Sequence, residues 1–135
     1  MAERLLLEIV TPRHKVVELE VDEVRVPGVV GELGVLPGHT PLLTTLGIGA
    51  LTYRVGSEPR VLAVQGGFVE VLAERVTVLA AVAEAPDEID VEGARQQVTS
   101  AEEALVTATA DDLEELMISL RMAQTRLEVA GTRGR

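Results

Sequence analysis

A β-sandwich followed by a two-helix hairpin is the fold class this sequence predicts, and three features of its patterning predict it. Short runs rich in β-branched residues occupy 5–10, 15–21, 24–26, 50–55, 60–64, 68–72 and 75–83. Turn formers bound them, among them Thr11-Pro12, Pro27-Gly28, Gly56-Ser57, Pro59 and Gly66-Gly67. Ala85-Pro86-Asp87 then breaks the pattern, because Pro86 pushes its predecessor out of helical geometry. Beyond the break, apolar residues recur at alternating spacings of three and four. Many short strands with no helical pattern between them predict an antiparallel sandwich or flattened barrel over 1–86. The later periodicity predicts a helical domain over 87–135.

Taken in order, the first strands are LLLEIV, KVVELEV and VRV. Residues 31–49, GELGVLPGHTPLLTTLGIG, interrupt the strand pattern with five glycines and two prolines, which predicts short strands joined by shaped loops. Four further β runs lead to Ala85. Asp87 is a good helix N-cap, with Asp90 three residues on. Val91, Ala94, Val98, Ala101 and Leu105 then mark one face of a helix, and Leu113, Leu116, Leu120, Ala123, Leu127 and Ala130 one face of a second. Residues 107–112, TATADD, supply a cap and a short connection, so the helices fold back as an antiparallel hairpin. Its seam is rich in Ala. At about 25 cal/mol per Å² of apolar surface such a hairpin is marginal alone and needs another surface to pack on.

Composition narrows the function. The chain has 135 residues, 47% of them hydrophobic, and Tyr53 and Phe68 are its only aromatics, so the core is aliphatic. A net charge of −10 opposes phosphate binding, and two aromatics supply no base-stacking platform, so nucleic acid is not an expected partner. Zero cysteines remove disulfides and Cys-based sites. No apolar run reaches the roughly 18 residues needed to span a bilayer, and the N-terminus does not read as a signal peptide; a cytoplasmic location is expected. Residues 1–86 carry 11 acidic against 7 basic side chains, and 87–135 carry 11 against 5. In the tail, ten of the acids precede residue 116 while Arg121, Arg126, Arg133 and Arg135 crowd the end, a segregation that compensates helix dipoles.

No catalytic constellation is found. His14 and His39 stand in different segments, and Ser57, Ser100 and Ser119 have no nucleophile elbow around them. The GVVGELG segment has the wrong glycine spacing for a phosphate cradle, and Glu102-Glu103 and Glu114-Glu115 read as solvated helix charges. No metal or cofactor is expected. What remains is a protein that works by binding, with Glu32 and His39 the most available polar residues of the glycine-proline block; the plain alternative is that both satisfy loop backbone. The residues also fit another class, a non-catalytic β-sandwich ligand-binding module that oligomerises through its helices.

The block GELGVLPGHTPLL, with VTP at 10–12, GGF-x-EV at 66–71, VTVLA at 76–80, IDVEGA at 89–94 and RLEVA at 126–130, resembles the epsilon subunit of bacterial F-type ATP synthases over nearly the whole chain. The resemblance implies a sandwich of about ten strands and a non-catalytic rotor component that binds gamma and rests on the c-ring, at the cytoplasmic side of the membrane. It places Gly31, Glu32, His39 and Thr40 toward the c-ring. It implies a hairpin that can extend toward a beta subunit and inhibit ATP hydrolysis, here through Arg121 and Arg126. Some relatives bind regulatory ATP through an I/L-D-x-x-R-A motif; Ile89, Asp90, Ala94 and Arg126 match, but Gly93 stands at the motif arginine and Met122 one turn before Arg126.

Overall fold

The structure is a computed structural model, described over residues 3–132. Eight strands fill the first part of the chain: β1 (Leu5–Val10), β2 (Lys15–Val21), β3 (Glu23–Gly28), β4 (Gly31–Val35), β5 (Leu42–Thr45), β6 (Ile48–Val55), β7 (Glu58–Val71) and β8 (Arg75–Glu84). A 3₁₀ turn (Pro86–Glu88) leads into helices α1 (Val91–Val106) and α2 (Ala110–Ala130). The strands form one sheet in the order β2-β1-β8-β7-β6-β3-β4, with β5 also on β7, folded over a core of Leu5, Leu7, Ile9, Val24, Val26, Leu51, Val69 and their neighbours.

Two expectations are corrected. The sandwich has eight strands and not about ten, partly because 60–64 and 68–72 are one strand. Gly66-Gly67 does not end β7. It is the point at which β7 exchanges β6 as a neighbour for β5, with Leu46 N–H donating to the Gly67 carbonyl and Gly66 N–H to the Gly47 carbonyl. Across this kink the core-facing positions switch from Leu62 and Val64 to Val69 and Val71, as at a corner of a folded sheet. Second, the sheet is mixed. β1 runs parallel to β8, from Leu6 opposite Arg75 to Val10 opposite Leu79. Parallel neighbours need a long connection, and here the rest of the sandwich supplies it.

The hairpin follows its predicted seam except at Leu113, which is exposed near the start of α2. Ala94, Ala101, Ala123 and Ala130 are buried, and Val98, Leu105, Leu116, Leu120 and Leu127 are half-buried around them. The start of α1 differs from expectation. Its N-cap is Asp90, which accepts from Gly93 N–H at 3.0 Å, whereas Asp87 lies in the preceding three-residue 3₁₀ turn, Pro86–Glu88, where the Glu88 carboxylate accepts from Ala85 N–H at 2.8 Å. The surface the hairpin needs is the outer side of β6 and β7. A second side of α2, with Met122 and Val129, buries itself with Ile89 and Ala63 there, flanked by Ile48, Ala50, Val61 and Val82.

Candidate functional sites on the sandwich and hairpin

The glycine-proline block folds as β4, a loop, β5 and the start of β6, so its polar residues part company. Glu32 opens β4, while His39 and Thr40 follow its end. At about 3.3 Å per residue, some 10 Å of extended chain separates Glu32 from the end of the strand at Val35. Beside Glu32, the β3–β4 turn projects Val29 and Val30, 67% and 97% exposed, with Gly31 at φ 137°. Glu32 pairs with Arg25 across the hairpin at 3.4 Å. At the other end, His39 Nδ1 donates to the Thr40 carbonyl at 2.6 Å, and Gly38 N–H reaches the Ala73 carbonyl, which pins this loop to the β7–β8 turn.

Alternation along β5, β7 and β8 puts one side chain in two on the outer face, and beyond the kink no helix covers them. Leu43, Phe68 and Leu79 are 69%, 55% and 51% exposed there, with Phe68 directly opposite Leu79 and Thr45. Sequence patterning assigns Phe68 and Leu79 to strands and leaves Leu43 in the block of short strands and loops, with no sign of which outer faces lie bare. An isolated exposed apolar residue is ordinary; three on one outer face of adjacent strands, one of them the chain's single Phe and with Glu70 opposite Leu43, mark a contact surface.

The hairpin site is built on α2. Arg121 Nε donates to the Ile48 carbonyl at 3.3 Å. Arg126 Nε and Nη2 reach the two carboxylate oxygens of Glu84 at 2.7 and 3.4 Å. Ile89 is buried against α2, Asp90 caps α1 and Ala94 lies in the seam between helices, so the four motif residues are held by structural work of their own. At Gly93 an added Cβ would meet the Asp90 carboxylate, so this glycine makes room for the cap. Arg121 and Glu32 line one crevice of about 390 Å³ between α2 and the β3–β4 turn. A wider groove of about 970 Å³ runs beside Tyr53, whose burial raises its phenol pKa, under the carboxylates of Asp87, Glu88 and Glu128. Asp22 accepts from Gly56 N–H and lies beside Arg4 and Arg54; these hold its carboxyl below the usual value.

Comparison with known proteins matches the two parts of the chain to two parts of one family. Residues 4–86 match the beta-sandwich domain of the ATP synthase Delta/Epsilon chain, and 87–131 match its long alpha-helix domain. The chain belongs to the ATP synthase delta/epsilon family. ATP synthase epsilon chain 2 of Syntrophotalea carbinolica is 47% identical over 137 residues, covering 100% of this chain and 99% of that one. The epsilon chain of Solibacter usitatus is 47% identical over 131 residues, covering 96% and 98%. Among solved structures, a chain of the Euglena gracilis mitochondrial ATP synthase, determined with OSCP, F1 and the c-ring, superposes with a TM-score of 0.82 over 94% of this chain and 81% of that one. At 22% identity that match speaks for the fold.

Within this epsilon-type fold, the residues the sequence singled out fall into three places. Gly31 and Glu32 sit at the β3–β4 turn, His39 and Thr40 at the entry to β5, and Arg121 and Arg126 on the docked side of α2. Among the described residues no group of three or more His, Asp or Glu side chains is arranged to hold a metal ion, and no helix is long and apolar enough to cross a membrane.

Proposed function

We propose that this epsilon-family chain is a non-catalytic rotor subunit, carried on the cytoplasmic side of a bacterial membrane, that couples c-ring rotation to ATP synthesis by standing between the ring and gamma. The observation that carries the proposal is the uncovered apolar face of Leu43, Phe68 and Leu79, which is suited to a permanent subunit contact. Gamma docks on that face, and His39 and Thr40 lie at its edge, where the chain enters β5. The β3–β4 turn with Val29, Val30, Gly31 and Glu32 meets the polar loops of the c-ring; its mixed apolar tip and charge fit a hydrated protein surface. Neither nucleic acid nor inserted lipid is a partner.

The hairpin adds potential control of hydrolysis. When it extends toward a beta subunit, Arg121 and Arg126 are the cations available on α2 for an acidic partner. Both are engaged with the sandwich in the docked form, so inhibition requires those contacts to break first. Regulatory ATP is not part of this reading: Gly93 and Met122 replace the motif arginines, and Arg126 already holds a carboxylate. The test is ATP hydrolysis by a purified alpha, beta and gamma complex titrated with the full-length chain. Association with suppression that weakens in Arg121→Ala and Arg126→Ala fits both roles. Association without suppression leaves a coupling subunit alone, and failure to associate refutes the proposal.

A further inference from the structure

We propose that the hairpin is held on the sandwich by a two-sided arginine clasp, in which the Glu84 carboxylate fills the position at Arg126 that an anionic ligand would otherwise take. The inference begins with helix geometry. At 100° per residue, Met122, Thr125 and Val129 share one stripe of α2, and Arg121 and Arg126 lie on opposite sides of it. Each arginine then reaches a different strand. Arg121 donates to the carbonyl of Ile48, where β6 begins, and Arg126 grips Glu84, where β8 ends. Since β7 runs between β6 and β8, the two contacts straddle the strand whose Ala63 supports the helix.

The Arg126–Glu84 pair differs from the other ion pairs. Among the described residues it alone links the sandwich to the hairpin, and it alone has both side chains less than a third exposed, at 25% and 30%. The guanidinium approaches with two nitrogens on two oxygens, a geometry stronger and more directional than a single contact. The apolar contact that it supplements is a cluster of Ala63, Ile89, Met122, Val129 and Ala130 with Ile48, Ala50, Val61, Val82 and Val91 packed around it. The clasp adds a charged, directional contribution to that apolar docking. This contribution weakens with salt and needs no bound nucleotide, because the charge that would attract phosphate is satisfied internally.

The test is hydrogen exchange of the α2 amides 122–130 in the full-length chain, at salt concentrations of about 0.05 and 0.5 M, with β1 and β8 amides as the internal reference. Glu84→Gln is expected to speed α2 exchange about 5- to 30-fold while β1 and β8 stay unchanged. Salt should speed wild-type α2 exchange and affect the variant much less, and millimolar ATP should leave the wild-type rate where it was. Wild-type exchange in Glu84→Gln overturns the clasp. Slower wild-type exchange with ATP overturns the claim that Glu84 occupies the anion position. If Glu84→Gln loosens the strands as well, the exchanged pair Glu84→Arg with Arg126→Glu decides. Restored α2 protection supports the clasp, and none overturns it.

Discussion

Replacing Gly67 by Ala probes the kink on which the sandwich turns. Gly67 has φ 117°, a backbone region in which a side chain costs about 1–3 kcal/mol. Its added Cβ would also overlap the Leu79 carbonyl oxygen and lie 2.9 Å from the carbonyl carbon, both of them backbone atoms of β8. Relief must therefore part β7 from β8 where Gly67 faces Ala80, and losing about two ladder hydrogen bonds costs about 1 kcal/mol each. The sum is about 3–5 kcal/mol. Gly56 is the control, since it has φ 61° and open space where a Cβ would go, so Gly56→Ala should cost only about 1–2 kcal/mol. Urea unfolding followed by circular dichroism, compared at equal slope, measures both. A Gly67→Ala cost no larger than that of Gly56→Ala would refute the close-approach argument.

Three further outcomes follow from the fold. Asp90→Ala should destabilise α1 by about 1 kcal/mol through loss of its cap, whereas Asp87→Ala should stay within about 0.5 kcal/mol; amide exchange in the first turn of α1 separates them. Asp22, whose pKa is lowered chiefly by Gly56 N–H, contributes stability that is complete above its unfolded pKa and lost as pH falls through the folded value. The stability gap between wild type and Asp22→Asn should accordingly be full at neutral pH and close below about pH 4 in pH-dependent urea titrations. Ala123→Leu, at a fully buried seam position, should overpack the hairpin at a cost of about 1–3 kcal/mol, read as faster exchange in both helices with the strands unaffected.

How far the sequence foretold this structure depends on the range of the forces involved. Strand runs, the Pro86 break and the alanine-rich seam are local patterns, and they appear where the patterning puts them apart from the joined runs 60–64 and 68–72 and the exposed Leu113. The parallel pairing of β1 with β8 has no local signal, because it is set by which edges remain free after the intervening strands have paired. Gly66-Gly67 read as a boundary because glycine pairs usually punctuate, yet the ladder to β8 resumes across it. The docking side of α2 has its own trace in the sequence. Residues 61–64 of β7, VLAV, lack alternation, as expected of a strand covered on both faces, and Met122 and Val129 make a second apolar stripe beside the seam. Of the site residues, Glu32 and His39 belong to one block of sequence, but β4 carries them to opposite ends. The arginine contacts to Ile48 and Glu84 span 73 and 42 residues, beyond the reach of any spacing argument.

Binding of the full-length chain to gamma from the same source, measured by calorimetry for wild type, Phe68→Glu and the distant surface variant Glu103→Gln, tests the central claim most directly. A charge at Phe68 should weaken binding at least about ten-fold, while Glu103→Gln binds as wild type does and both variants unfold at the wild-type urea midpoint. Gamma binding that is indifferent to Phe68→Glu would contradict the account, because the apolar face of Leu43, Phe68 and Leu79 would then not be where gamma docks.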